Sequence, residues 1–558
     1  MTTAENLSAV RDGRSGLRRY ENPWRLPFAV CASLLSEEQN RSILQECANV
    51  DVTRFESMVL HSVREALAHT DIDISNPRVL FILSTTKGNV ELLDGKAPVG
   101  KDVFPGSTAY KIANVLGIVS EPIVVSNACI SGVAAQALAL DLLDSGAYDY
   151  AVVAGADCQG AFIVSGFNCL KALSEDPCRP FDLERMGLNL GEAAATMVFA
   201  SDRIVSATDH WTLRKGAMRN DAFHITNPSP RGEGCFNALE SVMRGEDAEK
   251  LAMIGAHGTA TMYNDQMESV AIERAGLEHV PVSALKGYFG HTMGAAGLLE
   301  TILTMKAVSD GWIPGSLGFE ECGVSGKVNV CGKHMPTEKT SFVKLMSGFG
   351  GCNGALLYDW SDVGASSSET VVPSAVSSVC QHTVRILPDS IVIDGKTMPF
   401  ETQGAEMLTE LYRTLSPDYP RFYRMDLLSK LAFVAVELLL KEAGLTDVQK
   451  CDMLLFNRST SIMSDLKHAE TIADAESFFP SPATFVYTLP NIMVGEVAIR
   501  HGIAGSTSLC ILNQKNNETM LSIIAANMAA SANTNGMIAG WVDCLNKNEF
   551  EAEISIYK

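Results

Sequence analysis

Three residues of this 558-residue chain stand in settings that permit nucleophilic and acid–base chemistry. The stretch Val124-Val-Ser-Asn-Ala-Cys129-Ile-Ser-Gly reads as strand, sharp turn and helix, the outline of a nucleophile elbow. Cys129 would then sit at the N-terminus of a helix, where free N–H groups and the dipole favour a thiolate. Backbone amides at such an elbow can also hold an oxyanion. By itself, a Cys beside a turn is more often a small buried side chain. Two histidines change that weighting. Met253-Ile-Gly-Ala-His257-Gly-Thr-Ala-Thr ends an apolar strand on a His and a Gly-Thr loop. Lys286-Gly-Tyr-Phe-Gly-His291-Thr-Met-Gly-Ala-Ala-Gly sets a second His before a Gly/Ala-rich helix, where small residues permit close packing or close substrate approach. One Cys with two His, each at a strand-to-loop edge, is a nucleophile with an acid–base set. Metal binding by the same trio is the weaker reading, because no two of them have a close metal-site spacing.

These residues need a scaffold, and the hydrophobic pattern supplies one. Val79 to Leu83, Pro122 to Val125, Tyr150 to Val153 and Ala194 to Phe199 read as short buried strands. Phe55 to His69 and Val133 to Leu143 read as helices, the second apolar nearly all round and therefore buried. Strands alternating with helices predict a layered α/β fold with mainly parallel pairing. Gly354 to Trp360 reads as a last core strand, and the Ser-rich 361–378 stretch after it reads as a linker.

Composition narrows the function classes. The chain is 46% hydrophobic and 20% charged, with 44 Lys plus Arg against 65 Asp plus Glu, for a net charge of −21. Such an acidic body is poorly suited to non-specific nucleic-acid binding, which rests on phosphate neutralisation. The 14 Cys are scattered without a C-x-x-C pair, so a zinc ribbon or dithiol redox motif is disfavoured, and most read as buried thiols in a reducing cytosol. No apolar run reaches 18 residues and the first residues are polar, so neither a membrane span nor a secretory signal is expected, and the reading is cytoplasmic.

Several separated motifs occur together and in order. They are Asn127-Ala-Cys129, Gly166-Phe167 with Ala172-Leu-Ser, Cys178-Arg-Pro-Phe-Asp182, His257-Gly-Thr-Ala-Thr261 with Asn264-Asp265, Lys286 with Gly290-His291, and Gly348-Phe349-Gly-Gly-Cys-Asn353. On these, residues 20–360 resemble the β-ketoacyl-ACP synthases of elongating type. Thiolases are similar but use a second Cys, and initiating synthases carry an Asn where His291 stands. The resemblance implies a thiolase-like layered α/β/α/β/α fold. It implies that Cys129 accepts the acyl group, while His257 and His291 stabilise the enolate formed as malonyl-ACP loses CO2. Catalytic Lys286 would pair with Glu300 as orienting structure. The N–H groups of Cys129 and Phe349 would hold the acyl oxyanion, Phe349 would gate the thiol, and Thr259 and Thr261 would bind the pantetheine arm. No metal or diffusible cofactor is implied beyond the phosphopantetheine of an acyl carrier protein, the expected partner. Met186, Ala193 and Cys352 depart from the family pattern, which points to a divergent branch, with a polyketide or pigment pathway the weakest of these inferences.

The C-terminus repeats the front of the chain. Val133 to Cys158 matches Thr519 to Cys544 without gaps, Phe81-Ile-Leu-Ser-Thr-Thr echoes Leu455-Phe-Asn-Arg-Ser-Thr, and Leu427 to Gly444 echoes Phe55 to His69. The gap-free match puts Lys515 under Cys129; alignment on Gly502 puts Gln514 there, and neither is a thiol. The expected organisation is therefore an N-terminal ketosynthase half (1–200), a C-terminal half (201–362), a linker (363–378) and a degenerate N-terminal-like half-unit (379–558) that packs as an intrachain pseudo-dimer partner. Because carrier proteins are acidic, docking requires a local basic patch, and Arg421 and Arg424 are its candidates. The resulting expectation is decarboxylative Claisen condensation of acyl-ACP with malonyl-ACP, in fatty-acid or polyketide/polyene biosynthesis. The alternatives are a non-catalytic chain-length or scaffold subunit, or a thiolase-type acyltransferase. A further partner subunit is possible on either reading.

Overall fold

The computed structural model describes residues 2–93, 99–205, 210–361, 379–415, 418–474, 477–531 and 535–558. The expected linker 363–378 lies outside them. Four strands begin the main sheet: β1 (Val79–Ser84), β2 (Ile123–Val125), β3 (Tyr150–Asp157) and β4 (Ala193–Ala200). Every residue of β1 is buried, as its unbroken apolar run requires of a central parallel strand. Helices α1 (Arg54–Leu67), α2 (Ser131–Asp144) and α3 (Ala161–Cys169) accompany them. A capping box, Thr53 with Glu56, starts α1.

A second sheet of six strands follows: β5 (His210–Asn220), β6 (Leu251–Gly255), β7 (Pro281–Ser283), β8 (Asn329–Val330), β9 (Ser341–Gly348) and β10 (Cys352–Ser361), in the order β8-β7-β6-β9-β10-β5. Its helices are α4 (Glu233–Met243), α5 (Met262–Arg274) and α6 (Ala296–Ser309). α2 and α6 lie between the two sheets, α1 covers the far face of the first and α4 and α5 that of the second, giving five layers. α2 carries a nearly all-round apolar surface because it meets protein on every side.

Beyond residue 379 come β11 (Cys380–Leu387), β12 (Ser390–Ile393), β13 (Lys396–Met398), β14 (Asp452–Asn457), β15 (Thr507–Ile511), β16 (Met537–Asn546) and β17 (Glu549–Tyr557). The helices here include α7 (Leu427–Ala443), α8 (Ile462–Ile472), α9 (Ile492–His501) and α10 (Asn517–Ala530). These strands join the first sheet, which runs β13-β12-β11-β17-β16-β14-β15-β2-β1-β3-β4 over eleven strands. The junction is antiparallel, with Cys510 opposite Val125 and Ile511 opposite Val124. On either side the order and sense repeat in mirror image. β1 lies parallel between β2 and β3, with β4 antiparallel beyond; β14 lies parallel between β15 and β16, with β17 antiparallel beyond.

One buried carboxylate marks the correspondence. Asp157, ending β3, accepts from the Thr85 hydroxyl and from the Thr86 N–H and hydroxyl; Asp543 in β16 accepts from the N–H groups of Arg458 and Ser459 and the Ser459 hydroxyl. Five residues separate β2 from α2, and five separate β15 from α10. The fourth of these five residues is Cys129 in the first case and Lys515 in the second, and the Lys515 ammonium pairs with Glu551 at 2.9 Å and Glu553 at 2.8 Å. Among the described residues no helix is long and apolar enough to cross a membrane.

Candidate active site

The elbow forms as the sequence predicts. β2 stops at Val125, Ala128 takes a left-handed φ of +47°, and a single 3-10 turn (Ala128–Ile130) leads into α2. The Ser131 hydroxyl accepts from the Asn127 N–H at 2.8 Å and donates to Ala128 O at 2.6 Å, tying the turn to its helix. A Cβ on Gly132 would stand 2.9 Å from Gly294 O and 3.0 Å from Gly297 Cα. The Gly/Ala run after His291 therefore permits backbone-to-backbone contact, which brings the segment carrying His291 up to Cys129.

Cys129 Sγ and the ring nitrogens of His257 and His291 all lie within 4.8 Å of one another. The two rings meet edge to face, 5.1 Å between centroids. His291 is fully buried. Its Nδ1 accepts from the Met293 N–H at 3.3 Å, so the proton belongs on Nε2, and Nε2 is buried with no partner. That is a donor held ready for an oxyanion. His257 is fixed from behind: the carboxylate of Glu268 accepts from the N–H groups of His257 and Gly258 at 2.7 Å each, and Lys286 Nζ donates to His257 O at 2.6 Å. Burial first, then the charge of Lys286, lowers the pKa of both imidazoles well below the ordinary value, so both are neutral at pH 7.

The thiol differs from the sequence expectation. Burial pushes Cys129 up to about 12, against the downward pull of Lys286. A helix N-terminus is worth at most ~2 kcal/mol, or about 1.5 pKa units, too little to restore a thiolate at pH 7. Cys129 therefore rests as a neutral thiol.

Lys286 pairs with Glu300 at 2.8 Å as expected, but a second cation shares the carboxylate. Lys344 Nζ lies 2.5 Å from Glu300 and donates to Gly255 O and Ala256 O. Burial would raise the Glu300 pKa; the two ammoniums overcome it and hold it below the ordinary range. Sequence reading missed Lys344, whose one signal was a Lys amid Phe342, Val343, Leu345 and Met346 in a buried strand.

A cavity of about 380 Å³ leads from the trio to solvent. Thr259 and Thr261 line it, their hydroxyls 2.8 Å apart. Met186, Met262 and Tyr263 form its rim with exposures of 79%, 57% and 71%. Arg421 and Arg424 are exposed on the 3-10 turn Pro420–Arg424. Burial first, then the charge of Arg421, lowers the pKa of His224, which also lines the cavity. The inner wall is aromatic. Phe349 stacks with Phe167 (6.3 Å, 22°), and Phe485 meets Phe167 edge-on at 5.6 Å. Phe485 comes from the short helix Pro482–Val486 of the C-terminal segment, and its ring fills the space where a Cβ on Gly166 would stand. Nearby, Lys87 pairs with Asp465 of that segment at 2.8 Å, both buried.

The models for the N-terminal and C-terminal domains of beta-ketoacyl synthases match residues 45–203 and 211–320. Nodulation protein E of Rhizobium meliloti is 31% identical over 289 residues, covering 49% of this chain and 69% of the relative. The 3-oxoacyl-[acyl-carrier-protein] synthase 2 of Vibrio cholerae is 29% identical over 331 residues, covering 53% of this chain and 79% of the relative. Among solved structures, the PfaC keto synthase–chain length factor covers 100% of this chain and 76% of its own at a TM-score of 0.73 and 14% identity, a likeness of fold. Matched motifs, five-layered fold and thiol–imidazole geometry agree: the chain belongs to the beta-ketoacyl synthase family.

Proposed function

We propose that this protein is a 3-oxoacyl-carrier-protein synthase, an acyltransferase that forms a C–C bond by decarboxylative Claisen condensation. The observation that carries the reading is the protonated, partnerless Nε2 of buried His291 beside Cys129 and neutral His257. In the first half-reaction the Cys129 thiol displaces the carrier thiol from an acyl thioester, giving acyl-Cys129 and free carrier. Backbone N–H groups of Cys129 and Phe349 receive the oxyanion. In the second, malonyl-carrier loses CO2 and the Nε2–H of His291 donates to the enolate oxygen, with neutral His257, its Nδ1 3.3 Å from the acceptor-only Met346 thioether, beside it. The enolate carbon attacks the carbonyl of acyl-Cys129, the C–S bond to Cys129 breaks, and the departing sulfur takes a proton from solvent to reform the thiol as 3-oxoacyl-carrier leaves. Neutral imidazoles suit this role, since they donate N–H without a fixed charge. Lys286, Glu300 and Lys344 orient His257. The substrates arrive on phosphopantetheine, with Thr259 and Thr261 placed along the cavity to meet its amides.

A cation at the trio has less support. A His that ligates through Nε2 usually donates from Nδ1, whereas Nδ1 of His291 faces an N–H. For docking, Arg421 and Arg424 with the apolar rim Met186, Met262 and Tyr263 offer a small positive and hydrophobic face to an acidic carrier protein.

Residues 379–558 act as a degenerate N-terminal half-synthase, serving as pseudo-dimer partner to the halves at 1–200 and 201–362. The mirrored strand order, the Asp157 and Asp543 correspondence and Lys515 in place of the thiol support this. Phe485 against Gly166 favours a chain-length role for that segment alone, not for the whole protein. Incubation with acyl-carrier and malonyl-carrier, followed by intact mass and CO2 release, tests the reading. An acyl adduct lost in Cys129→Ser is expected; no adduct on the native protein defeats it.

A further inference from the structure

Several hydrogen bonds between the catalytic part and the C-terminal segment fall on the walls of the site. Asn127 Oδ1, two residues before Cys129, accepts from the Leu509 N–H at 2.9 Å. Asn220 Nδ2 donates to Thr507 Oγ1 at 3.0 Å and to Gly350 O at 2.9 Å. Asn491 Nδ2 donates to Phe349 O at 2.8 Å. Asn491 stands at the head of α9 and is 4% exposed. Its Oδ1 is buried without a partner, so the bond to Phe349 is what orients its amide.

The turn that Asn491 touches is held from its own segment at the glycines, by the Gly350 N–H to Ile225 O at 2.7 Å and the Asp221 N–H to Gly351 O at 2.7 Å, whereas Phe349 O has there only the weak Cys352 thiol donor at 3.2 Å. Phe349 has glycine before it and two after, and Gly350 and Gly351 take left-handed φ values of +89° and +73°. The other segment adds to these contacts. A Cβ on Gly495 would stand 2.8 Å from Gly350 Cα, and one on Gly350 would stand 2.8 Å from Asn491 Nδ2. Leu489 and Ile492 pack around Ala128 and Phe349. Oxyanion donors work only when held to within about 0.5 Å, so a strong bond to the carbonyl of Phe349 bears on the aim of its N–H.

We infer that Asn491 is a positioning residue for acyl transfer. It fixes the Phe349–Gly350 peptide so that the Phe349 N–H stays aimed, with that of Cys129, at the thioester oxygen. The inference rests on the synthase reading above and deepens it: the segment with Lys515 at its strand-to-helix turn supplies alignment to the segment that carries Cys129.

Asn491→Asp keeps the shape and removes the donor; Asn491→Ala removes the side chain and serves if the carboxylate prevents folding. Asn513→Ala is the control, since it deletes another bond between the segments, from the Ser107 hydroxyl to Asn513 Oδ1 at 3.0 Å. The readouts are the rate and KM of Cys129 acylation by acyl-carrier, followed by quench and intact mass, and CO2 release from malonyl-carrier supplied alone. A lost oxyanion donor costs about 10²–10³-fold, so a misaimed one should slow acylation by about 10- to 100-fold. KM and CO2 release should stay within about threefold, and Asn513→Ala should match the native protein throughout. Acylation at the native rate in the Asn491 variants overturns the role. So does an equal fall in every readout, shared by Asn513→Ala, which would mean general loosening between segments. Native protein that never acylates at Cys129 overturns the synthase reading, and the role of Asn491 with it.

Discussion

Replacing Glu300 by Gln removes the one negative charge from a buried group of two lysines and a glutamate, and the cost can be worked from that arrangement. Glu300 Oε1 lies 2.8 Å from Lys286 Nζ and Oε2 lies 2.5 Å from Lys344 Nζ, with all three side chains buried. Removing one partner of a buried pair costs roughly 3–5 kcal/mol, because the remaining charge is stranded. The variant can limit this by releasing a proton from one lysine. From an unfolded pKa of about 10.4, that release costs about 4.6 kcal/mol at pH 7 and about 1.9 kcal/mol at pH 9. The sign follows. A lysine whose folded pKa is depressed binds fewer protons than in the unfolded chain, so stability rises with pH through that window. Urea unfolding of Glu300→Gln should therefore show a large drop in midpoint at pH 7 that shrinks to roughly two-fifths of its size at pH 9. Lys344→Met leaves a one-to-one pair and takes the ammonium donor from two carbonyls, at about 1–3 kcal/mol each, a loss that should not change between pH 7 and pH 9. An equal drop for Glu300→Gln at both pH values, or a Lys344→Met loss that shrinks with pH in the same way, would refute charge balance as the reason for the triad.

Four further outcomes are expected. His291→Ala removes the ready Nε2 donor and should lower the rate of malonyl decarboxylation by about 10²–10³-fold, measured as CO2, while Cys129 still acylates. With the thiol pKa near 12, alkylation of Cys129 by iodoacetamide should rise about tenfold per pH unit from 7 to 9; a plateau in that range would indicate a thiolate. Phe485→Ala opens space beside Gly166, so competition among acyl-carriers should shift Cys129 loading toward longer chains, and an unchanged profile would remove Phe485 from the acyl wall. Charge reversal at Arg421 and Arg424 should raise the KM for carrier protein by about tenfold, the equivalent of ~1.4 kcal/mol, with alkylation of the thiol untouched.

The parts of the site legible in the sequence are those set by local rules. The apolar run before Asn127 makes a strand, the small residues after Cys129 make a buried helix, and His257 and His291 each follow a short strand and turn. The repeated order of strands was legible because helix and strand spacings survive when identities do not, and the spacing from β15 to α10 equals that from β2 to α2. What sequence reading missed depends on distance in the chain. Lys344 meets Glu300 only once β9 lies beside β6. Asn491 reaches Phe349 across 142 residues. The acidity of Cys129 was misjudged because a helix start is a local feature, whereas the burial that outweighs it is assembled by the whole fold.

The antiparallel contact of β2 with β15 has a consequence for assembly. A sheet that ended at β2 would present a bare row of amide and carbonyl groups, an edge on which any other extended chain could add itself. Here the polypeptide supplies its own cap. Two identical copies have no free β2 edge through which to join, so the pairing that completes the sheet is immune to dilution and to unequal synthesis of separate subunits. It is settled once, at translation, as one capped catalytic unit per polypeptide.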